Sequence, residues 1–236
     1  MDGVRRSFDL DAIRADFPIL SREVHGKPLV YLDSAASAQK PTQVLDALMS
    51  AYQDTYSNVH RGLHFLSEAS TDLYESVRGK VAGFIGAASG DEIVLTSGAT
   101  MSLNLIARCW AEPRLQPGDQ ILISIAEHHA NIVPWQMVAQ KTGARVRAFT
   151  LEDDGAFSMA RLKAEMSERT RIIAIPHVSN VLGTVFPVAE IAALAHDAGA
   201  LMVVDGCQGV IHMPVDVTAL GADFYVFSAH KLYGPN

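Results

Sequence analysis

The sequence has few of the features that mark secreted, disulfide-rich or membrane proteins. It contains two cysteines, Cys109 and Cys207, in 236 residues, too few for a disulfide framework and in keeping with a reducing compartment. No apolar run approaches the length of a membrane-spanning helix, and residues 1–6 lead into no apolar stretch of the kind found in a signal peptide. We therefore expect a soluble, cytoplasmic protein with no membrane partner.

Positive charge is also scarce. Lysine and arginine together number 19 against 26 aspartates and glutamates, which gives a formal net charge of -7. Such a charge balance argues against binding to nucleic acids. Hydrophobic residues make up 49% of the chain and charged residues 19%, an ordinary composition for a globular protein with a sizeable core. Small molecules or other proteins are the expected partners.

Common signatures of nucleotide and metal sites are missing as well. The chain contains neither the Gly-x-Gly-x-x-Gly fingerprint of dinucleotide-binding proteins nor the Gly-Lys-Ser/Thr of a Walker loop. His60 and His64 are four residues apart, but no cysteine or acidic residue completes a ligand set at suitable spacing. We expect no metal site.

From Asp91 onward, short apolar runs alternate with segments of helical periodicity. The apolar runs predict strands at residues 93–95, 121–123, 146–149, 172–175, 201–204 and 224–227. Strands that are apolar along their whole length, separated by helices, are typical of a mostly parallel sheet with helices on both faces. The sequence therefore predicts an α/β protein of this architecture.

The residues before Asp91 are more polar. Residues 1–30 contain a short helical pattern, and we expect this amino-terminal segment to pack on the main body of the protein. Pro41 precedes a second helical pattern, and a longer one follows from about Ser67. No repeat, low-complexity tract or linker interrupts residues 31–236, so we expect one domain there.

Polar side chains follow several of the predicted strands. Ligands of parallel sheets bind beyond the carboxyl ends of the strands, where Thr100, His128, Asn180, Asp205 and Lys231 are expected. Taken alone, each of these residues has a plainer role as a helix cap, a turn residue or a polar loop residue. Their occurrence at successive strand ends indicates a common ligand site.

Lysine and aspartate at neighbouring strand ends indicate a pyridoxal phosphate site. Lys231 would hold the aldehyde as a Schiff base, and Asp205 would keep the pyridine nitrogen protonated. A phosphate can be bound at the start of the helix that contains Thr100, after the Gly98 turn. The imidazole of His128 can lie against the pyridine ring and handle protons near neutral pH.

The chain resembles the class V aminotransferase-like, fold-type I pyridoxal phosphate enzymes, and most closely the SufS/CsdA-type (group II) cysteine desulfurases. The resemblance covers nearly the whole chain and rests on residues 17–20, 31–37, 58–62, 127–136, 204–206 and 228–235. It implies that the chain forms the large, cofactor-binding domain of this fold and that the small carboxyl-terminal domain lies beyond residue 236.

The resemblance also assigns roles around the cofactor ring. It implies that Lys231 forms the Schiff base and that Asp205 pairs with the pyridine nitrogen. His128 is similar to the imidazole that stacks on the ring, and Gln208 to the residue that hydrogen-bonds the phenolic oxygen. Asn180 matches a residue near the ring and the substrate carboxylate.

Further positions match the phosphate and substrate contacts of the family. Thr100, Ser228 and His230 match residues that contact the phosphate. Ala35 and Ala36 belong to a motif that lies near the substrate.

The implied activity is the conversion of L-cysteine to L-alanine with transfer of sulfur to an enzyme cysteine as a persulfide, for iron–sulfur cluster or other sulfur-cofactor assembly. The substrate would displace Lys231, whose freed amine would then remove the α-proton. The family enzymes are homodimers, and a sulfur-acceptor protein is the expected partner. The family's persulfide-forming cysteine and carboxylate-binding arginine belong to a segment beyond Asn236, so we expect the 236-residue chain alone to bind the cofactor more weakly and not to release sulfur.

The sequence departs from the family pattern at a few positions. Ser34 stands where asparagine is usual, Ala99 and Met101 replace more polar residues beside Thr100, and Cys207 stands where alanine is common. These changes would weaken or retune the cofactor site. We expect both Cys207 and Cys109 to be buried as small apolar residues and not to carry the persulfide.

Two other functions remain open. A selenocysteine lyase, acting on L-selenocysteine, or a kynureninase-like hydrolase would share the lysine and aspartate arrangement, although residues 58–62 and 127–129 favour the desulfurase. A truncated, catalytically silent module for cofactor binding or protein interaction is the alternative outside enzymes.

Overall fold

Residues 8–235 are described by the structure, a computed structural model, and they fall into two units. The first unit comprises the described residues up to Asp72 together with 229–235, and the second comprises Leu73–Ser228. The boundary between Asp72 and Leu73 lies inside a helix.

The first unit begins with a short helix, α1 (Leu10–Ala15), whose first turn is capped by the Asp9 side chain. The helix ends before Pro18, because a residue that precedes proline is disfavoured in helical conformation. A 3₁₀ turn then follows at Pro18–Ser21. The helical pattern predicted within residues 1–30 is therefore split in two. Strands β1 (Glu23–Val24) and β2 (Lys27–Pro28) then form a small antiparallel hairpin that the sequence analysis did not predict.

Two helices follow the hairpin, as the periodicity predicts. The helix α2 (Thr42–Ser50) starts directly after Pro41 and continues into a π-helical turn at Ala51–Thr55. The helix α3 (Phe65–Ile85) is 21 residues long and crosses from the first unit into the second. In the part of the chain from residue 8 to 235, no helix has both the length and the apolar character needed to cross a lipid bilayer.

The second unit alternates strands and helices. Its elements in chain order are α4 (Ala99–Leu105) with a π-helical continuation at Ile106–Ala111, β3 (Gln120–Ser124), α5 (Val133–Thr142), β4 (Arg145–Phe149), α6 (Met159–Glu165), β5 (Thr170–Pro176), α7 (Val188–Asp197), β6 (Leu201–Asp205), α8 (Gly209–His212), α9 (Val217–Leu220) and β7 (Phe224–Val226).

The strands β3 to β7 form one sheet in the order β4-β3-β5-β6-β7, and every pairing in it is parallel. Neighbouring residues of a strand point to opposite faces, and both faces are buried: Ile121 and Ile123 lie in one hydrophobic cluster, and Leu122 in the other. Trp135 of α5 packs in the first cluster and Ile191 of α7 in the second. The predicted parallel sheet with helices on both faces is confirmed.

The strand predicted at residues 93–95 is wrong. This segment is not part of a strand, and the side chains of Val94 and Leu95 are 74% and 40% exposed. A strand requires a hydrogen-bonded neighbour, and among the described residues the sheet consists of β4, β3, β5, β6 and β7, none of which pairs with residues 93–95. The apolar, β-branched composition is therefore not enough to make these residues a strand.

Candidate functional site

The carboxyl ends of three strands lie level with one another in the second unit. Asp205, the last residue of β6, is paired in register with Pro176 of β5 on one side and with Val226 of β7 on the other. The ladder extends by one step beyond the strands, because the His177 amide donates to the Asp205 carbonyl at 2.8 Å and the Gly206 amide to the Val226 carbonyl at 2.7 Å. Side chains that follow these strands are thus brought to one edge of the sheet.

Asp205 presents a buried carboxyl group at this edge. The residue is 8% exposed, and its Oδ1 accepts a hydrogen bond from the amide of Cys207 at 3.0 Å. Gln208, also buried, comes directly before α8. A buried carboxylate is costly unless donors or a cationic group compensate it, so this position favours a cationic ligand group.

The turn after Asp205 is shaped by two glycines. A Cβ atom on Gly206 would lie 2.1 Å from the ring of Tyr225, and one on Gly209 would lie 2.5 Å from Nδ1 of His177. His177 Nδ1 and the Tyr225 hydroxyl are hydrogen-bonded at 2.9 Å. Burial lowers the pKa of His177, whereas burial, with smaller effects of Cys207 and Asp205, raises the pKa of Tyr225. Both side chains are therefore neutral at pH 7, and they pack against the backbone of the turn at Gly206 and Gly209.

Ser228 meets the beginning of α4. Its hydroxyl accepts a hydrogen bond from the amide of Ala99 at 2.9 Å, and the Ser228 side chain is 6% exposed. Gly98 precedes the helix with φ 133°, and a Cβ there would lie 3.3 Å from the Ser228 hydroxyl. Thr100 lies exposed in the first turn. The start of a helix with hydroxyl groups beside it suits an anionic group such as a phosphate.

His128 is exposed and follows β3. Its Nδ1 accepts a hydrogen bond from the amide of Ala130 at 3.1 Å, so it caps the 3₁₀ turn at His129–Asn131. The neighbouring His129 ring stands edge-on to it, with 6.2 Å between ring centroids. Because Nδ1 is an acceptor, the neutral ring carries its proton on Nε2, and the exposed ring face is open to a ligand.

A buried polar chain next to His128 was missed by the sequence analysis. Glu127 Oε2 accepts a hydrogen bond from the Asn131 amide group at 2.9 Å, and Asn131 Oδ1 accepts one from the Trp135 indole at 2.8 Å. Glu127 is half-buried as a residue, but its Oε1 is inaccessible and has no partner among the described residues. Burial raises the pKa of Glu127 well above its usual value, opposed by the Asn131 hydrogen bond and aided by the Asp205 charge. The four-residue spacing of the three side chains is the sequence signal that could have found this chain.

Asn180 lies in the loop after β5. The loop is closed by a hydrogen bond from the Ser179 amide to the Thr184 carbonyl at 3.0 Å and by a bridge between Val178 and Val185. Asn180 itself is exposed. It is therefore accessible to a ligand.

The first unit contains the remaining predicted site residues. His230 and Lys231 lie in a 3₁₀ turn at Ala229–Lys231, and both are half-buried. Ala35 and Ala36 are exposed in a loop in which the Ala36 amide donates to the Asp33 carbonyl at 3.1 Å. The predicted residues thus divide between the units: these four belong to the first, and the second contains Thr100, His128, Asn180, Asp205, Gln208 and Ser228.

The two cysteines have different environments. Cys207 is buried, as expected, but Cys109 is exposed, and the expectation that it is buried is wrong. Cys109 lies in the π-helical turn after α4, where Ile106, Ala107 and Ala111 occupy the buried face. No group of three or more histidine, cysteine or acidic side chains within residues 8–235 is arranged to hold a metal ion.

The groups of the second unit fit pyridoxal phosphate. The buried carboxyl of Asp205 suits a protonated ring nitrogen, and the helix start beside Ser228 suits a phosphate. The exposed imidazole of His128 offers a flat face to an aromatic ring. Pyridoxal phosphate has three features that these groups can bind: a cationic nitrogen, an anionic phosphate and a flat ring.

The family to which these features point matches most of the chain. The model of the family "Aminotransferase class-V" matches residues 30–236. Two relatives, each named cysteine desulfurase, are from Enterobacter sp. (strain 638) and Shigella sonnei (strain Ss046). Each is 54% identical to this chain over 229 residues, which is 97% of this chain and 56% of the relative. The chain therefore spans about half the length of these relatives.

Solved structures give the same result. The cysteine desulfurase CsdA from Escherichia coli is similar with a TM-score of 0.87 and 44% identity, covering 98% of this chain and 57% of that protein. An apo cysteine desulfurase from Thermococcus onnurineus NA1 is similar with a TM-score of 0.89 and 36% identity, covering 100% of this chain and 56% of that protein. The chain belongs to the aminotransferase class-V family.

Proposed function

We propose that this chain is the cofactor-binding part of a pyridoxal 5'-phosphate-dependent cysteine desulfurase. The whole enzyme would convert L-cysteine to L-alanine and transfer the sulfur to one of its own cysteines as a persulfide. The observation that carries the proposal is the buried carboxyl of Asp205 at the aligned ends of β5, β6 and β7. The names and the 54% identity of the relatives support the choice of reaction.

The ring would be held by residues of the second unit. Asp205 would keep the pyridine nitrogen protonated, His128 would stack on the ring, and Gln208 would hydrogen-bond the phenolic oxygen. When bound, pyridoxal phosphate accepts the electron pair released at the substrate α-carbon. The His177–Tyr225 pair supports the backbone of this site, because it packs against Gly206 and Gly209.

The phosphate would be bound at the start of α4. Thr100 and Ser228 would donate hydroxyl groups, and His230 would add a ring N–H. The hydrogen bond from the Ala99 amide to Ser228 supports this assignment, because it joins the serine to the first turn of the helix. Ala99 and Met101 supply no polar side chain here, so we expect Thr100 to contribute a large share of the phosphate affinity.

Lys231 would bind the aldehyde and, once the substrate displaces it, act as the base at the α-carbon. Asn180, Ala35 and Ala36 would lie near the substrate, and the carboxylate-binding arginine would come from a part of the enzyme beyond residue 236. The nucleophile that takes the sulfur must be a thiolate. Neither Cys109 nor Cys207 has this role in the proposal.

The oligomeric state, the location, the sulfur acceptor and the substrate are part of the same proposal. We expect a homodimer in the cytoplasm that passes sulfur to an acceptor protein for iron–sulfur cluster or other sulfur-cofactor assembly. L-cysteine is the expected substrate, with L-selenocysteine as the alternative.

Cofactor titration tests the proposal. Adding pyridoxal phosphate to the chain should produce an absorbance band near the visible region that is displaced from that of the free cofactor. Lys231→Ala should abolish the band, while the matched control Lys163→Ala, at an exposed lysine of α6, should keep it. A wild-type protein with no such band would contradict the proposal.

Substrate assays separate the remaining alternatives. An enzyme as long as the relatives should produce alanine and a persulfide from L-cysteine. This chain alone should bind the cofactor without turning over L-cysteine. Preferential turnover of L-selenocysteine or L-kynurenine by the longer enzyme would favour the lyase or the hydrolase. Cofactor binding with no turnover of any of the three would favour a silent module.

A further inference from the structure

The side chain of Lys40 is attached to the turn that contains Lys231. Its Nζ donates hydrogen bonds to the Ala38 carbonyl at 2.8 Å and to the His230 carbonyl at 3.0 Å. Lys40 and His230 are 190 residues apart in sequence, and both belong to the first unit. Lys40 is therefore a long-range contact of this turn.

The His230 carbonyl has a second donor. The Ala38 amide donates to the same oxygen at 3.1 Å, so two donors engage the two lone pairs of that oxygen. This carbonyl belongs to the peptide group that joins His230 to Lys231. Because a peptide group is planar and includes the next Cα, fixing this oxygen restricts the position of the Lys231 Cα.

The other side of the turn is also tightly held. The amides of Leu232 and Gly234 both donate to the Ala229 carbonyl at 2.9 Å. A Cβ on Gly234 would lie 3.0 Å from that carbonyl oxygen, so the chain returns closely on itself. The Tyr233 ring packs on Phe17 with 5.8 Å between centroids. With this closed turn on one side, the Lys40 and Ala38 donors hold the peptide on the other.

The chemistry of Lys40 suits a permanent structural contact. Lys40 is half-buried as a residue, and burial lowers the pKa of its ammonium group. In the part of the chain that the structure describes, no carboxylate forms an ion pair with it, and main-chain carbonyls take the place of one. Hydrogen bonds from an ammonium group are stronger than those between neutral groups, so the contact is well able to fix a peptide group.

We propose that Lys40 is a positioning residue for Lys231: through the His230 carbonyl it sets the place from which the Lys231 amine reaches the cofactor aldehyde. The inference rests on the proposed function, because it takes Lys231 to be the reactive amine. Lys40 itself contacts neither the aldehyde nor the substrate in this role. Its effect is on the rate at which Lys231 forms its bond, and not on the affinity for the cofactor.

The test measures bond formation and affinity separately. The Lys231 amine and the aldehyde form a carbon–nitrogen double bond with loss of water, and borohydride then adds hydride to make the bond permanent, so that trapped Lys231 can be counted by peptide mass spectrometry. Cofactor affinity without this bond is measured in a Lys231→Ala background. The variants are Lys40→Met, which keeps the stem but removes the donors, Lys40→Arg, which restores them, and Lys163→Met as a control.

We expect Lys40→Met to slow trapping at Lys231 by about tenfold, because a small displacement of a reacting group costs this much or more. In the Lys231→Ala background, Lys40→Met should change cofactor affinity by no more than about twofold. If Lys40 acts only through Lys231, its effect on bond formation is separate from any effect on affinity. Lys40→Arg should recover most of the rate, and Lys163→Met should behave as wild type.

Other outcomes overturn the inference in distinct ways. Unchanged trapping in Lys40→Met contradicts it while leaving the proposed function in place. An equal loss of affinity and trapping rate, or a variant that does not fold, shows that Lys40 maintains the unit as a whole and has no specific role for Lys231. Absence of trapping at Lys231 in the wild type overturns the proposed function itself.

Discussion

At the scale of single residues, the site depends on small side chains where the backbone passes close to large ones. Gly206 follows Asp205 in sequence, and the space for a Cβ on Gly206 is already filled by the ring of Tyr225. The two glycines after β6 therefore fix the direction in which the chain leaves the strand. The placement of the Asp205 carboxyl depends on them.

Replacing Gly206 by alanine should destabilise the protein. The new Cβ would lie 2.1 Å from the Tyr225 ring, which must move, and overpacking of this kind costs about 1–3 kcal/mol in the free energy of unfolding. Gly79→Ala in α3 is the matched control, because nothing lies within 4 Å of its Cβ; there we expect a gain of about 0.5–1 kcal/mol. Chemical denaturation measures both. Equal effects of the two substitutions would contradict this packing.

Glu127→Gln should change how stability depends on pH. Burial raises the pKa of Glu127 in the folded protein above the ordinary 4.5 of the unfolded chain. As the pH rises above 4.5, the unfolded carboxyl ionises first, so the folded state binds more protons and the wild type loses stability until its own raised pKa is passed. Glutamine does not titrate, so the variant should gain on the wild type across that range, by at most about 1.4 kcal/mol per pH unit.

Denaturation of both proteins at a series of pH values measures this difference, since the groups distant from residue 127 titrate alike in the two proteins. Parallel stability curves would mean that Glu127 is not desolvated in the folded state.

The sequence indicated Glu127 only as part of a motif. Its burial could not be predicted, because it depends on Asn131, on Trp135 and on the charge of Asp205 in another strand.

At the scale of elements, apolar periodicity predicted the sheet well because its inner strands β3, β5 and β6 are buried on both faces. Residues 121–123 and 172–175 have no polar interruption and lie in the middle of the sheet. Residues 93–95 have the same composition but no neighbouring strand among the described residues. Amino-acid composition shows whether a segment is able to form a strand. Whether it finds a strand to pair with depends on segments that are distant in sequence.

Two valines test this difference. Val203→Ala in β6 removes methyl groups from a side chain that is 1% exposed, and we expect a loss of about 2 kcal/mol in the free energy of unfolding. Val94→Ala, at an exposed position, should change stability by about 0.5 kcal/mol or less. Thermal or chemical denaturation measures both. A large loss at Val94 would show that residues 93–95 are packed after all.

At the scale of the whole molecule, the parallel order of the strands explains why residues far apart in sequence share one edge. Asp205 ends β6 and Ser228 follows the neighbouring strand β7, and Ser228 also accepts a hydrogen bond from Ala99, 129 residues earlier. The order of the strands β3 to β7, and of the helices α5, α6 and α7 between them, could be predicted from sequence, and so could the approximate ends of these strands. The contact of His230 with Ala38 and Lys40 could not, because no local pattern encodes it.

The most direct test of the account is to locate the bond between the chain and pyridoxal phosphate. The chain is incubated with the cofactor, reduced with borohydride and digested, and the modified peptide is identified by mass spectrometry. The account predicts modification at Lys231, and its loss in Lys231→Ala with no transfer to Lys40 or Lys163. Modification spread over surface lysines, and unchanged by Lys231→Ala, would contradict it.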